Sequence, residues 1–335
     1  MKAMVLSAPK TIGEEDVAQP TPGDGETLVK VTKTGICGTD LKIYQGGIPV
    51  AYPRVMGHES VGTVAAGGEL EPGTPVIVDP AYYCGDCFHC HNGQTHLCPN
   101  GGLIGRDVDG GFADYVLAPT HNVHPLPPDM NLTHAPLVQP MTTCLHAQRL
   151  AKIFPGEAVV VIGLGVTGLL HVQLAKAHGA YPVIGITRSE WKRDLAEELG
   201  ADYTFAPGDD VKDKILEVTG DKGGADLVIE SVGQLSVLAQ AIDIVRLGGR
   251  ILPFGILTVS EGALPFYDLY FKEIQVVNAR VAKPEDYPAS IDFVERGIVN
   301  LDKLITDVVP LAEMKRALDM LEQGKGIKII LDHEA

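Results

Sequence analysis

The run Gly163-Leu164-Gly165-Val166-Thr167-Gly168 constrains the fold more than any other stretch of this chain. It follows an apolar strand at 158–162 and opens a helix at 166–178. Glycines at these places permit a tight turn, close backbone approach to a pyrophosphate, and close packing of helix on strand. The helix N-terminus offers free N–H groups and a positive dipole end to phosphate. Because glycines punctuate many strand–helix turns, the setting decides. Here a strand at 182–187, a helix at 190–199 with Ser189 as N-cap, and a helix at 209–218 follow. A strand at 226–231, a helix at 236–247 and strands at 250–256 and 274–279 complete the series. That alternation predicts an α/β class with a doubly wound parallel sheet covered on both faces.

In a fold of this kind an acidic residue about twenty positions after the glycines holds the ribose 2′-hydroxyl of NAD. This chain instead reads Ile186-Thr187-Arg188-Ser189, followed by Lys192 and Arg193. Two hydroxyls and an arginine can hydrogen-bond a 2′-phosphate, and charge-assisted bonds to phosphate are the strong kind. NADP is therefore expected over NAD. Ser231, closing the 226–231 strand, is a further cofactor candidate. The bland alternative leaves Arg188 stacking on adenine and Lys192 solvated.

Residues 1–139 have a different texture, with short alternating stretches such as 27–34 and 60–65 between Gly and Pro clusters. They predict an irregular all-β domain. Four of the six cysteines fall within it as Cys84-x2-Cys87-x2-Cys90-x7-Cys98, in a loop-rich lobe at 80–102. Four thiolates and no open position suit a closed tetrahedral zinc. Cys98-Pro99 echoes a ferredoxin ending, but the seven-residue gap departs from that spacing. His89, His91 and His96 are expected to face solvent. Clustered thiols favour metal over disulfides in a cytosolic protein. The N-terminus reads as a first strand and not a signal peptide, which points to the cytoplasm.

Gly35-Ile36-Cys37-Gly38-Thr39-Asp40 and Gly57-His58-Glu59 add a scattered second set of metal-type ligands beside small residues. Alone, Cys37 reads as a buried thiol and His58 as a satisfied core histidine. Their company is what raises them. With 43 acidic against 27 basic residues the net charge is −16, which disfavours nucleic acid as a partner. The longest apolar run, 158–170, is too short and too rich in glycine for a membrane span.

With these motifs in order, the sequence resembles the zinc-containing medium-chain dehydrogenase/reductase family, which includes alcohol, sorbitol and threonine dehydrogenases. The GICGTD and GHE segments, the four-cysteine lobe, the glycine run and the closing GKGIKIIL carry the resemblance along essentially the whole chain. It implies a GroES-like catalytic domain (1–139 and 281–335) and a Rossmann domain (140–280), with the active site in the cleft between them. It also implies a homodimer or homotetramer built on the 274–279 strand. By match of motif, Cys37 and His58 are catalytic zinc ligands, and Asp40 holds the far nitrogen of His58. Glu59 is a carboxylate able to enter the zinc sphere, and Thr39 passes on the substrate proton.

Two positions depart from the family pattern. Gln139 stands where relatives place a Cys or Glu ligand, so either Gln139 or Glu59 completes the set. Lys42 stands where many relatives have a histidine that carries the proton out. Absence of a thiolate at 139 favours a polyol, sugar or secondary alcohol over simple alcohols. Phe112, Tyr44 and Arg280 are candidate pocket residues, and Cys144 is expected in the core. The alternatives are a non-enzymatic zinc and nucleotide-binding module and a zinc-free quinone reductase relative.

Overall fold

The computed structural model describes all 335 residues. The chain forms two compact units, one of Met1–Thr142, Val281–Glu295 and Leu301–Ala335, the other of Thr143–Arg280 and Arg296–Asn300. The first division falls inside the helix Val138–Ala151. Assignment of Arg296–Asn300 to the second unit differs from a simple cut at 281. Its physical basis is reciprocal bonding at Asn300, whose N–H donates to Gln173 Oε1 (2.7 Å) and whose carbonyl accepts from Gln173 Nε2 (3.2 Å). No helix is long and apolar enough to cross a membrane.

In the first unit, a seven-stranded sheet runs in the order Val123–Pro125, Pro75–Val78, Glu59–Gly67, Glu26–Gly35, Lys328–Asp332, Ile305–Pro310, with Tyr115–Pro119 also paired to Glu26–Gly35. Val29, Val31, Val64, Val76, Val78 and Val116 alternate inward to form one apolar core. β-branched residues suit such a pleated, half-buried surface. A second core gathers Ala3, Leu6, Ile36, Ile43, Met56, Phe112, Ile329 and Leu331. The last strand pairs antiparallel to the third, Leu331 against Thr34 and Ile330 against Gly35. This sews the C-terminus beside Cys37.

The second unit holds a six-stranded sheet in the order Tyr203–Phe205, Val183–Ile186, Val159–Ile162, Ala225–Glu230, Val245–Pro253, Gln275–Val276, parallel throughout. Val159–Ile162 and Val183–Ile186 are buried at every position, as strands covered on both faces must be. Three details correct the sequence reading. The helix expected at 236–247 ends at Ile244, and Val245 already pairs with Ala225 as a strand. β-branched Val245 and the Gly248-Gly249 pair, with Gly248 at φ +67°, oppose helix there. The 274–279 strand shrinks to Gln275–Val276, an edge piece paired only with Arg250 and Ile251. Ser189 is the N-cap of Glu190–Glu198, but its side chain makes no capping bond.

Candidate metal and dinucleotide sites

Cys37 is delivered by the strand Glu26–Gly35 and caps the helix Gly38–Tyr44. Its Sγ accepts the Thr39 N–H at 3.5 Å, while Asp40 Oδ2 accepts the Cys37 N–H at 2.9 Å. Gly35 pairs across the sheet with Glu59, so the GHE segment arrives beside Cys37. Gly57, at φ +97°, has its α-carbon against the Phe112 ring, where a side chain would clash. Donor atoms of Cys37, His58 and Glu59 lie within 4.8 Å of one another. His58 Nδ1 is 3.2 Å from Asp40 Oδ1, with both side chains buried. Burial opposes a charged imidazole, yet the Asp40 carboxylate and the Cys37 sulfur outweigh it and hold the His58 pKa well above its usual value. A thiol and an imidazole brought together, with a carboxylate on the far imidazole nitrogen, are the donor types a metal of the zinc type takes.

Glu59 is already partly satisfied. Lys328 Nζ donates to both of its carboxylate oxygens and to the Ile36 carbonyl. Gln139, buried in the first turn of Val138–Ala151, faces the Tyr287 hydroxyl. Tyr287 in turn stacks flat on His124 at 4.5 Å and faces Asp79, whose pKa burial raises to about 7. Sequence reasoning did not single out Lys328, Tyr287 or Asp79. A lysine between Ile327, Ile329 and Ile330 was the one readable sign, since a cation in an apolar strand needs a partner.

Thr39 stands in the first turn of the Cys37-capped helix, half-buried, with Lys42 in the last turn of the same helix. Phe112 and Tyr44 are buried in the apolar core. Arg280 is exposed and has no ion-pair partner. Cys144 is fully buried, and its Sγ lies 3.7 Å from the Thr167 carbonyl. It does not join the Cys37 cluster.

In the lobe, Cys84, Cys87, Cys90 and Cys98 bring their sulfurs to 3.5 Å (87–90), 3.8 Å (87–98) and 3.4 Å (98–84). These separations are far too long for disulfides, which need about 2.05 Å. They match the ~3.8 Å edge of a tetrahedron with Zn–S bonds of about 2.3 Å. The Asp86 backbone N–H and the Cys98 sulfur lower the Cys84 thiol to about 6, while burial and the Cys87 sulfur raise Cys90 to about 11, so without a metal the cluster favours one thiolate. His91 is exposed, whereas His89 and His96 are half-buried; His89 Nδ1 pairs with Gln94 Oε1 at 3.1 Å.

In the second unit the three glycines divide their labour. Gly163 turns at φ +93°, and a side chain on Gly168 would collide with the Gly163 carbonyl. Gly165 is exposed with open space where its side chain would be, and it caps Val166–Ala177 without a side-chain bond. A phosphate can therefore approach this backbone and the uncapped N–H groups of Val166 and Thr167. Thr167 and Ser231 hydroxyls bond at 2.7 Å, and the Ser231 N–H donates to Ile162 O at 2.9 Å. Ile162 pairs in register with Ile186, so the glycine turn and Thr187-Arg188-Ser189 leave neighbouring strands at one edge. Arg193 donates to the Thr187 carbonyl (3.0 Å) and the Arg188 carbonyl (3.2 Å), bracing this second turn. Arg188 itself is exposed and unpaired, and Lys192 is half-buried.

Residues 166–296 match the model for a zinc-binding dehydrogenase, and residues 23–128 match the alcohol dehydrogenase GroES-like domain. A sorbitol dehydrogenase of Halalkalibacterium halodurans is 33% identical over 99% of both chains. An L-threonine 3-dehydrogenase of Pyrococcus furiosus is 34% identical, over 94% of this chain and 93% of its own. The crystal structure of a zinc-binding dehydrogenase from Sinorhizobium meliloti bound to NADP superimposes with a TM-score of 0.91. It is 34% identical over 99% of this chain and 98% of its own. The chain belongs to the zinc-containing medium-chain dehydrogenase/reductase family and is an alcohol or polyol dehydrogenase.

Proposed function

We propose that this enzyme interconverts a secondary alcohol, sugar or polyol CH–OH and its carbonyl, using NADP in preference to NAD. The observation that carries the reading is the unpaired Arg188 beside Thr187 and Ser189, in register with the glycine turn. A 2′-phosphate there meets a free guanidinium and two hydroxyls. The NADP-bound relative lends support.

Zinc, when bound, makes an alcohol hydroxyl more acidic, and NADP takes the hydride. Cys37 and His58 hold the metal, and Asp40 fixes the imidazole. We infer Gln139 as the third protein ligand, because the Lys328 ammonium bonds both Glu59 oxygens and makes them poorer donors to a metal. Glu59, paired with Lys328, then adds no net charge there. The Thr39 hydroxyl accepts the substrate proton and passes it outward, a role that needs a donor–acceptor group and not a strong base. The four-cysteine lobe holds a second, structural zinc. Thiolates kept for a metal suit a reducing compartment such as the cytoplasm.

The edge strand Gln275–Val276 follows closely on a short helix, Phe266–Phe271, that exposes Tyr267, Tyr270 and Phe271. An exposed edge with an aromatic patch invites a second copy of this chain, in a homodimer or a homotetramer. A panel of polyols and ketones assayed with NADP and NAD, before and after chelation, tests the reading. Turnover that survives removal of all zinc, or a clear preference for NAD, would sink it.

A further inference from the structure

We propose that Trp191 is the platform on which the adenine of the dinucleotide stacks. The inference deepens, and rests on, the dinucleotide reading of the second unit.

Trp191 is the sole tryptophan of the chain and is 45% exposed. It occupies the second position of Glu190–Glu198, a helix of sequence EWKRDLAEE that buries only Ala196. The indole is therefore not spent on the core of the unit. A side chain this large, left at the surface, is the kind that meets a flat partner.

Its place follows from register. Ile162 lies beside Ile186, on strands about 4.8 Å apart, so the glycine turn adjoins Thr187. A dinucleotide sets its pyrophosphate over the glycine turn and its ribose at the end of the neighbouring strand. The adenine is the next group outward, and the first turn of Glu190–Glu198 is the next protein surface. Arg193 fixes the intervening turn through the Thr187 and Arg188 carbonyls.

Charge completes the arrangement. The Lys192 Nζ lies 5.2 Å from the centroid of the Trp191 ring, which orients the indole. With 45% of its surface exposed, part of the indole is open to a purine. Stacking of bases on aromatic side chains is strong and indifferent to base identity, so Trp191 sets affinity while Arg188 discriminates the 2′-phosphate.

Because no other tryptophan contributes, indole emission from the full-length protein reports this position alone. The protein is titrated with NADP, adenosine 2′,5′-bisphosphate, AMP and nicotinamide mononucleotide, with emission and calorimetry recorded in parallel. Ligands that carry adenine should quench in proportion to calorimetric saturation, and nicotinamide mononucleotide should leave emission unchanged. Trp191→Ala should weaken NADP binding about tenfold, with Trp191→Phe recovering most of it. Calorimetric saturation without quenching, or an unchanged Kd in Trp191→Ala, would overturn the platform. Equal affinity for AMP and the bisphosphate, with quenching intact, would overturn the NADP preference and leave the platform standing. No binding of any adenine ligand would overturn both.

Discussion

Lys328 Nζ bonds both oxygens of Glu59, at 2.8 and 2.6 Å, and neither side chain has any exposed surface. Two charges taken out of water cost several kcal/mol each, which close pairing and a third bond to Ile36 O offset. Glu59 adjoins His58 in the chain, so its lysine partner cancels a negative charge next to the metal ligands.

Removing one partner should cost more than removing both. Lys328→Met strands a buried carboxylate and should destabilise the protein by about 3–5 kcal/mol. Lys328→Met with Glu59→Gln should recover much of that loss. Denaturant midpoints for the four proteins of this cycle measure the coupling, and additive effects would show that the contact is energetically idle.

Gln139→Glu tests the third ligand. If the amide oxygen meets zinc, a carboxylate there should hold the metal more tightly and slow its loss to a chelator. If Gln139 only faces Tyr287, the new charge is buried near Asp79 without compensation, and the variant should unfold earlier with no gain in zinc retention.

Cys98 is the buried member of the lobe quartet. Cys98→Ser should lower bound zinc by one equivalent per chain and lower Tm, while the Cys37 site keeps its metal. Retention of the parent zinc content by Cys98→Ser would refute a four-thiolate centre.

Arg188→Ala should lower kcat/KM with NADP by roughly 10- to 100-fold, the worth of a charge-assisted bond, and leave NAD nearly unchanged. Arg193→Ala should behave differently. Arg193 braces the turn through backbone carbonyls, so its loss should impair both cofactors. Steady-state kinetics with each cofactor separates the two roles.

Features within one short stretch were legible in the sequence. The glycine turn, the thiolate spacing and Cys37 with its capping Asp40 each depend on residues a few positions apart. Lys328 and Glu59 are 269 positions apart, and only the antiparallel pairing of Lys328–Asp332 with Glu26–Gly35 brings them together. Tyr287 beside Gln139 and Asp79 likewise depends on how three distant segments pack. The helix expected at 236–247 overran because Val245, Arg246 and Leu247 continue the apolar rhythm of the preceding turns. The pairing of Val245 with Ala225 decides for strand, and Gly248-Gly249 just beyond opposes helix. Gln139 was readable as a departure, but no local pattern says whether an amide binds metal.

His171 predicts the acid limb of stability. It is fully buried beside Phe254, and Gln148 Nε2 donates to its Nδ1 at 3.1 Å, so the ring is a neutral acceptor there. Burial lowers its pKa to about 3, against about 6.5 in the unfolded chain. A depressed folded value means that stability is complete above about pH 6.5 and is lost as pH falls toward 3. Burial acts in the same sense on His124 and His333, each lowered to about 4. Asp79 opposes them. Its folded pKa is raised to about 7, so its contribution is full below about 3.8 and is lost as pH rises through 7. Three groups outweigh one, and stability should fall steadily from pH 6.5 to pH 4. His171→Gln should remove about one proton from that slope, roughly 1.4 kcal/mol per pH unit. Acid release of zinc affects parent and variant alike, so the difference between their slopes isolates His171. Equal slopes in urea titrations across this range would show that His171 does not titrate as a buried neutral ring.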